Sequence, residues 1–235
     1  MALSDPVPIS SIPNLNQGLT SAAESTMIAM LGAPRDPLTT SCQNERASPQ
    51  IAPLLETRRM TPQFRLTGIK PALDSVQAVL AQVKVAQPDL IDQLDTEGMI
   101  CVRHRKPTDG SVSHAISNHS RGTAVDFKLT GQPAPGNTGP NVPRWVAILI
   151  PFFNQAGWVS GVGFHARDAM HFEVADETIR KWKQDGLLGV APAAGATVVA
   201  SNTAGGGNTA GGENGGGSSA SSSIGGFFSR LFGRG

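Results

Sequence analysis

Two short stretches hold the side chains best suited to chemistry. The first, Ser117-Asn118-His119-Ser120-Arg121-Gly122-Thr123-Ala124-Val125-Asp126, sets an imidazole and a carboxylate on either side of a glycine. The second, Asp168-Ala169-Met170-His171-Phe172-Glu173, places another imidazole between two acids. Imidazole and carboxylate are good ligands for zinc, but one of each does not make a site. If His171 joins His119 and Asp126 on one zinc ion, the fourth position stays open, as in catalytic rather than structural zinc sites. Asp168, three residues before His171, would then hold the attacking water and take its proton. Glu173 competes with Asp168 for that role, or supports the metal ligands from behind.

These groups can meet only if the backbone brings them together. After a turn at Gly122, residues 123–129 read as a strand. Thr123, Val125, Phe127 and Leu129 point one way, and Ala124, Asp126 and Lys128 the other. His119 precedes the turn, so the turn can fold it back over Asp126. In the second stretch Met170, Phe172 and Val174 alternate with Ala169, His171 and Glu173, again a half-buried strand. An antiparallel pairing of the two strands would let His171 reach the same ion, with Asp168 in the turn leading in.

The pattern Ser-x-His-x-x-Gly-x-Ala-x-Asp, followed later by acid-x-x-His, resembles the zinc D-alanyl-D-alanine carboxypeptidases and the phage L-alanyl-D-glutamate endopeptidases. These belong to the lysostaphin, D-Ala-D-Ala peptidase and sonic hedgehog fold group. Ser117, His119, Gly122, Ala124 and Asp126 all match. The resemblance spans roughly residues 65–189. It implies one zinc ion on His119, Asp126 and His171, with the acid three before the last histidine as base. Many members have Glu there; this chain has Asp168, as do some phage endopeptidases. It also implies an arginine at a strand end that polarises substrate or steadies the anionic intermediate. Arg105 is the preferred candidate and Arg103 the other. Ser117, at the head of the motif, and His165 join Arg103 as candidate substrate-binding residues. The implied activity is hydrolysis of peptide bonds in the stems of bacterial peptidoglycan, by an endopeptidase or a D-Ala-D-Ala carboxypeptidase. The alternatives are a zinc-bearing binding module without catalysis, and a virion or secretion component docked by its tail.

Composition narrows the class. With 235 residues the chain can build one domain with a sizeable core plus extensions. A formal net charge of +1 gives no electrostatic case for nucleic acid. The five histidines, His104, His114, His119, His165 and His171, all fall within the region expected to be catalytic. There is no tyrosine, so an oxyanion would have to be stabilised by Arg, His, backbone amide or metal. Cys42 and Cys101 would pair only in an oxidising compartment; Cys101 also fits simple burial in the run Met99-Ile100-Cys101-Val102. No secretion signal or membrane span is recognisable. The expectation is synthesis in the cytoplasm and action on the wall after release or injection.

The expected fold is α+β: a small antiparallel sheet carrying the zinc site, flanked by helices. Residues 1–64 read as a flexible leader, mostly coil, with a helix at 21–31 using Ala22, Met27, Ile28 and Leu31 on one face. The peptidase domain covers 65–189. Within it, Leu73, Val76, Leu80 and Val83 form an apolar helical stripe behind Pro71. A short helix follows at 90–94, closed by Gly98. Residues 99–104 read as a buried strand ending in the basic Arg103, His104, Arg105 and Lys106. His114 lies in a polar loop before the motif. The Gly- and Pro-rich residues 131–143 form a loop on the cleft rim. Residues 144–156 read as an apolar helix, with a kink or early break expected at Pro151. Asp176 is the expected cap of a last helix, 177–185. Residues 190–223 are a Gly/Ser linker. Residues 224–235, with three Phe and two Arg, would dock to a partner or a membrane surface.

Overall fold

The computed structural model describes residues 1–106 and 113–189. The linker and tail expected at 190–235, and part of the polar loop before the motif, lie outside the described residues. In chain order the strands are β1 (Pro6–Pro8), β2 (Leu55–Arg59), β3 (Arg65–Ile69), β4 (Leu94–Gly98), β5 (Ala124–Leu129), β6 (Asn141–Pro143), β7 (Trp158–Ser160) and β8 (His171–Val174). The helices are α1 (Glu24–Leu31), α2 (Lys70–Ala86), α3 (Pro88–Gln93), α4 (Arg144–Gln155) and α5 (Asp176–Gln184). The mixed α+β class is the expected one.

Four strands form the central antiparallel sheet, in the order β4-β5-β8-β7. Its apolar face carries Val125, Phe127, Phe172 and Val174, all essentially sealed from solvent. Phe127 meets Phe64, Phe153 and Phe172, and Phe153 stacks within 4.5 Å of Phe172. That cluster fixes which side of β5 and β8 is core, and so leaves Asp126 and His171 on the other. Helix α2 starts with Pro71 in its first turn and buries Leu73, Val76, Leu80 and Val83, as the stripe requires. Ser75 of α2 accepts the Trp158 indole N–H from β7 at 2.9 Å.

Several local expectations give way. The strand after α3 is β4, not residues 99–104, and Gly98 ends that strand rather than a helix. Leu94 anchors β4 in the core, and its polar remainder suits an edge strand laid on β5. Residues 99–105 run irregularly apart from one isolated antiparallel bridge, His104 opposite Ile116. β2 forms within the proline-rich leader because it pairs with β3, and Arg58 ties that hairpin to Asp74 on α2. Helix α4 passes through Pro151 without ending. One lost rung is outweighed where Leu149, Phe152 and Phe153 bury on either side. Ile28 is 40% exposed, so of the expected stripe Met27 and Leu31 bury from α1, beside Ala22. Asp176 is the first residue of α5 and pairs with Arg180, while Ala175 holds the cap position.

The leader lies along the domain. β1 pairs with β6, and Thr20 and Ser21 meet the β8–α5 junction. Residues 39–44 exchange hydrogen bonds with 102–104. Cys42 and Cys101 are joined as a disulfide, with Cα atoms 4.9 Å apart. No helix among the described residues is long and apolar enough to cross a membrane.

Candidate metal centre

Asp126 and His171 stand directly opposite each other in the β5–β8 ladder, so register alone brings them together. His171 Nδ1 lies 2.9 Å from Asp126 Oδ1. The backbone of Asp126 is fixed from its other side by Thr96 Oγ1, which donates to its carbonyl at 2.7 Å.

His119 arrives by a different route. It sits in a single 3-10 turn, Asn118–Arg121, which ends at Gly122 in the left-handed region (φ 62°, ψ 37°). A Cβ at Gly122 would stand 2.8 Å from the Gly68 Cα, so conformation and close approach both demand glycine. The turn swings His119 over the sheet, placing Nε2 3.2 Å from Asp126 Oδ2 and 3.2 Å from His171 Nδ1. Met99 O accepts from His119 Nδ1 at 2.9 Å, and Cys101 N–H donates to the His119 carbonyl. The three ligand atoms lie within 4.8 Å of one another, a cluster able to hold one metal ion.

The hydrogen bonds show that this cluster calls for a cation. A carbonyl only accepts, so His119 Nδ1 carries the proton and Nε2 turns its lone pair inward. Glu173 accepts from His171 Nε2 at 3.0 Å, which leaves Nδ1 as the inward atom there. Two lone pairs and a carboxylate facing one another repel unless positive charge lies between them. A proton can supply it. Burial opposes a charged His171, yet the hydrogen bonds to Asp126 and Glu173 win, and its pKa is raised to about 10. Burial likewise opposes the Asp126 carboxylate, and the two imidazoles, when protonated, hold it far below the usual carboxylate range. A divalent ion meets the same demand with more charge, and the N, N, O donor set suits zinc.

A cleft of about 600 Å³ opens over the centre. Asp168, Arg103, Arg105, Ser117 and His165 all line it, together with the three ligands. Burial is the main force raising the Asp168 carboxyl above its ordinary value; Asp126 adds to it, while His171, His119 and Arg103 pull the other way. Arg103 is thus close enough to act on Asp168, whereas the charge of Arg105 is felt at Arg121. His165 is exposed on the cleft. His114 meets His104 edge to face, with ring centroids 5.7 Å apart, and neither lines the cleft.

Other participants were not picked out from sequence. Gly161 lets the Asp168 turn pack close: a Cβ there would meet the Asp168 carbonyl at 2.3 Å. Asn137, from the rim loop, holds the same turn by accepting from Ala169 N–H at 2.8 Å. Phe164 faces His171 at 5.8 Å, and Ser21 of the leader reaches the cleft wall. Only the glycine carried a signal, as the close-approach residue of a Gly-x-Gly turn.

Residues 111–174 match a family model described as D-alanyl-D-alanine carboxypeptidase. The matched segment contains His119, Asp126, Asp168 and His171. No curated protein and no solved structure matches the chain.

Proposed function

We propose that this chain is a zinc-dependent peptidase that hydrolyses peptide bonds in the stems of bacterial peptidoglycan. The observation that carries the reading is the convergence of His119 Nε2, the Asp126 carboxylate and His171 Nδ1 beneath a cleft that also holds Asp168. The match to D-alanyl-D-alanine carboxypeptidases over the same segment supports the substrate class.

His119, Asp126 and His171 would hold the ion. When bound, zinc supplies Lewis-acid polarisation of the scissile carbonyl and acidification of water. Asp168 takes the proton released as water adds to that carbonyl, then gives it to the amine as the C–N bond breaks. A carboxyl raised by burial suits both transfers, since its proton affinity lies nearer neutral pH. Arg103 and Arg105 supply positive charge for the developing oxyanion, or for a carboxylate of the stem. The Cys42–Cys101 disulfide supports work outside the reducing cytoplasm, where the wall is, after release or injection.

Purified wall peptides incubated with the zinc-loaded chain should yield new amine and carboxyl termini, read by mass spectrometry. Release of terminal alanine identifies a carboxypeptidase, and cleavage within the stem an endopeptidase. Zinc binding without any cleavage would overturn the enzymatic reading and leave a binding module.

A further inference from the structure

Glu173 is a buried carboxylate that the proposed chemistry does not use. It is 5% exposed, and both oxygens are engaged. Oε2 accepts from His171 Nε2 at 3.0 Å and from Asn118 Nδ2 at 2.9 Å. Oε1 accepts from Ser21 Oγ at 2.6 Å. Asn118 immediately precedes His119, so this one carboxylate grips the strand of one ligand and the turn of the other. Its third bond leaves the sheet altogether and ends in the N-terminal segment.

That segment is held firmly enough to matter. The Asn16 side chain mimics a neighbouring strand: its Oδ1 accepts from Ser160 N–H at 2.8 Å, and its Nδ2 donates to Ser160 C=O at 2.8 Å. Ser160 belongs to β7, an edge strand, so Asn16 closes that edge. Thr20 O then accepts from Asp176 N–H, and Ser21 bridges Ala175 just beyond β8. Ala22 follows, buried. Ser21 therefore reaches Glu173 from a fixed backbone.

We infer that the N-terminal segment completes the metal centre, with Ser21 orienting Glu173 and Glu173 orienting His171. The inference rests on the zinc reading above. Both are positioning residues. A carboxylate behind a ligating imidazole fixes its tautomer and strengthens it as a donor, and its loss typically weakens metal binding 10–100-fold. Ser21 should count for less, because it is exposed at the cleft wall and water can replace its hydroxyl.

The test is zinc affinity of the full chain, measured by competition with a chromophoric chelator, with the cobalt(II) absorption spectrum as a second readout. Glu173→Gln should bind zinc about 10–100-fold more weakly and shift the cobalt bands. Ser21→Ala should lose roughly 3–10-fold, less than that range. Ser21→Thr, which keeps the hydroxyl, should bind like the wild type. The double variant should be no weaker than Glu173→Gln alone, since Ser21 acts through Glu173. Ser21→Ala binding like the wild type, or fully additive losses in the double variant, would overturn the inference while leaving the metal centre standing. Failure of the wild type to bind zinc tightly would overturn the centre itself, and the inference with it.

Discussion

The two halves of the centre are built by different means. Asp126 and His171 are cross-strand neighbours inside a sheet whose apolar face is closed by Phe127, Phe153 and Phe172. His119 hangs on irregular backbone. Its place depends on a left-handed glycine, one carbonyl from Met99 and one amide from Cys101, which the disulfide joins to the leader. The first half is set by a repeating ladder that any error would shift by whole residues. The second is set by single contacts that can fail one at a time. Ligand position in the sheet should therefore survive insults that displace His119.

The largest effect is common to both halves. Asp126→Ala or His119→Ala should each weaken zinc binding by more than about 100-fold, beyond the loss of an outer supporting group, as measured by equilibrium dialysis. Asp168→Asn separates chemistry from binding: cleavage should fall by about 10²–10⁴-fold with zinc retained. Because burial raises the Asp168 carboxyl, the acid limb of kcat/KM should sit above the ordinary aspartate range and vanish in that variant. The same shift has a stability sign. A carboxyl with a raised folded pKa favours folding when protonated and opposes it once ionised, so Asp168→Asn should be at least as stable as wild type at neutral pH.

Removing the disulfide probes the irregular half. Cys42→Ser with Cys101→Ser should cost about 2–4 kcal/mol of stability. Hydrogen exchange should quicken at residues 99–103, while β5 and β8 stay protected. Equal loosening of both regions would erase the distinction drawn between them. Gly122→Ala should cost about 1–3 kcal/mol from left-handed strain alone, with more from a Cβ 2.8 Å from the Gly68 Cα. Its zinc affinity should fall through His119 alone, which a melting curve and a zinc titration together would show.

The same contrast explains what could be read in advance. Alternation in residues 123–129 and 169–174 placed Asp126 and His171 on one face, because sheet register is written in the order of apolar and polar side chains. The site of His119 was legible only through its motif, since a 3-10 turn and a glycine carry no periodicity. The support of Arg103 and Arg105 was assigned to a full strand because Met99-Ile100-Cys101-Val102 is apolar; Met99 and Val102 bury, but the stretch bonds to the leader and the motif turn and keeps only the single bridge from His104 to Ile116. Asn16 and Ser21 were invisible as site residues. Their partners, Ser160 and Glu173, lie far along the chain, and no local pattern announces a side chain standing in for a strand.

Everything proposed for this chain depends on two imidazoles and one carboxylate sharing a single divalent ion. Anomalous diffraction at the zinc edge from crystals of the loaded protein tests it most directly. One peak is expected, about 2.0–2.2 Å from His119 Nε2, an Asp126 oxygen and His171 Nδ1. A peak bound elsewhere, or none at these three atoms with zinc in excess, would contradict it.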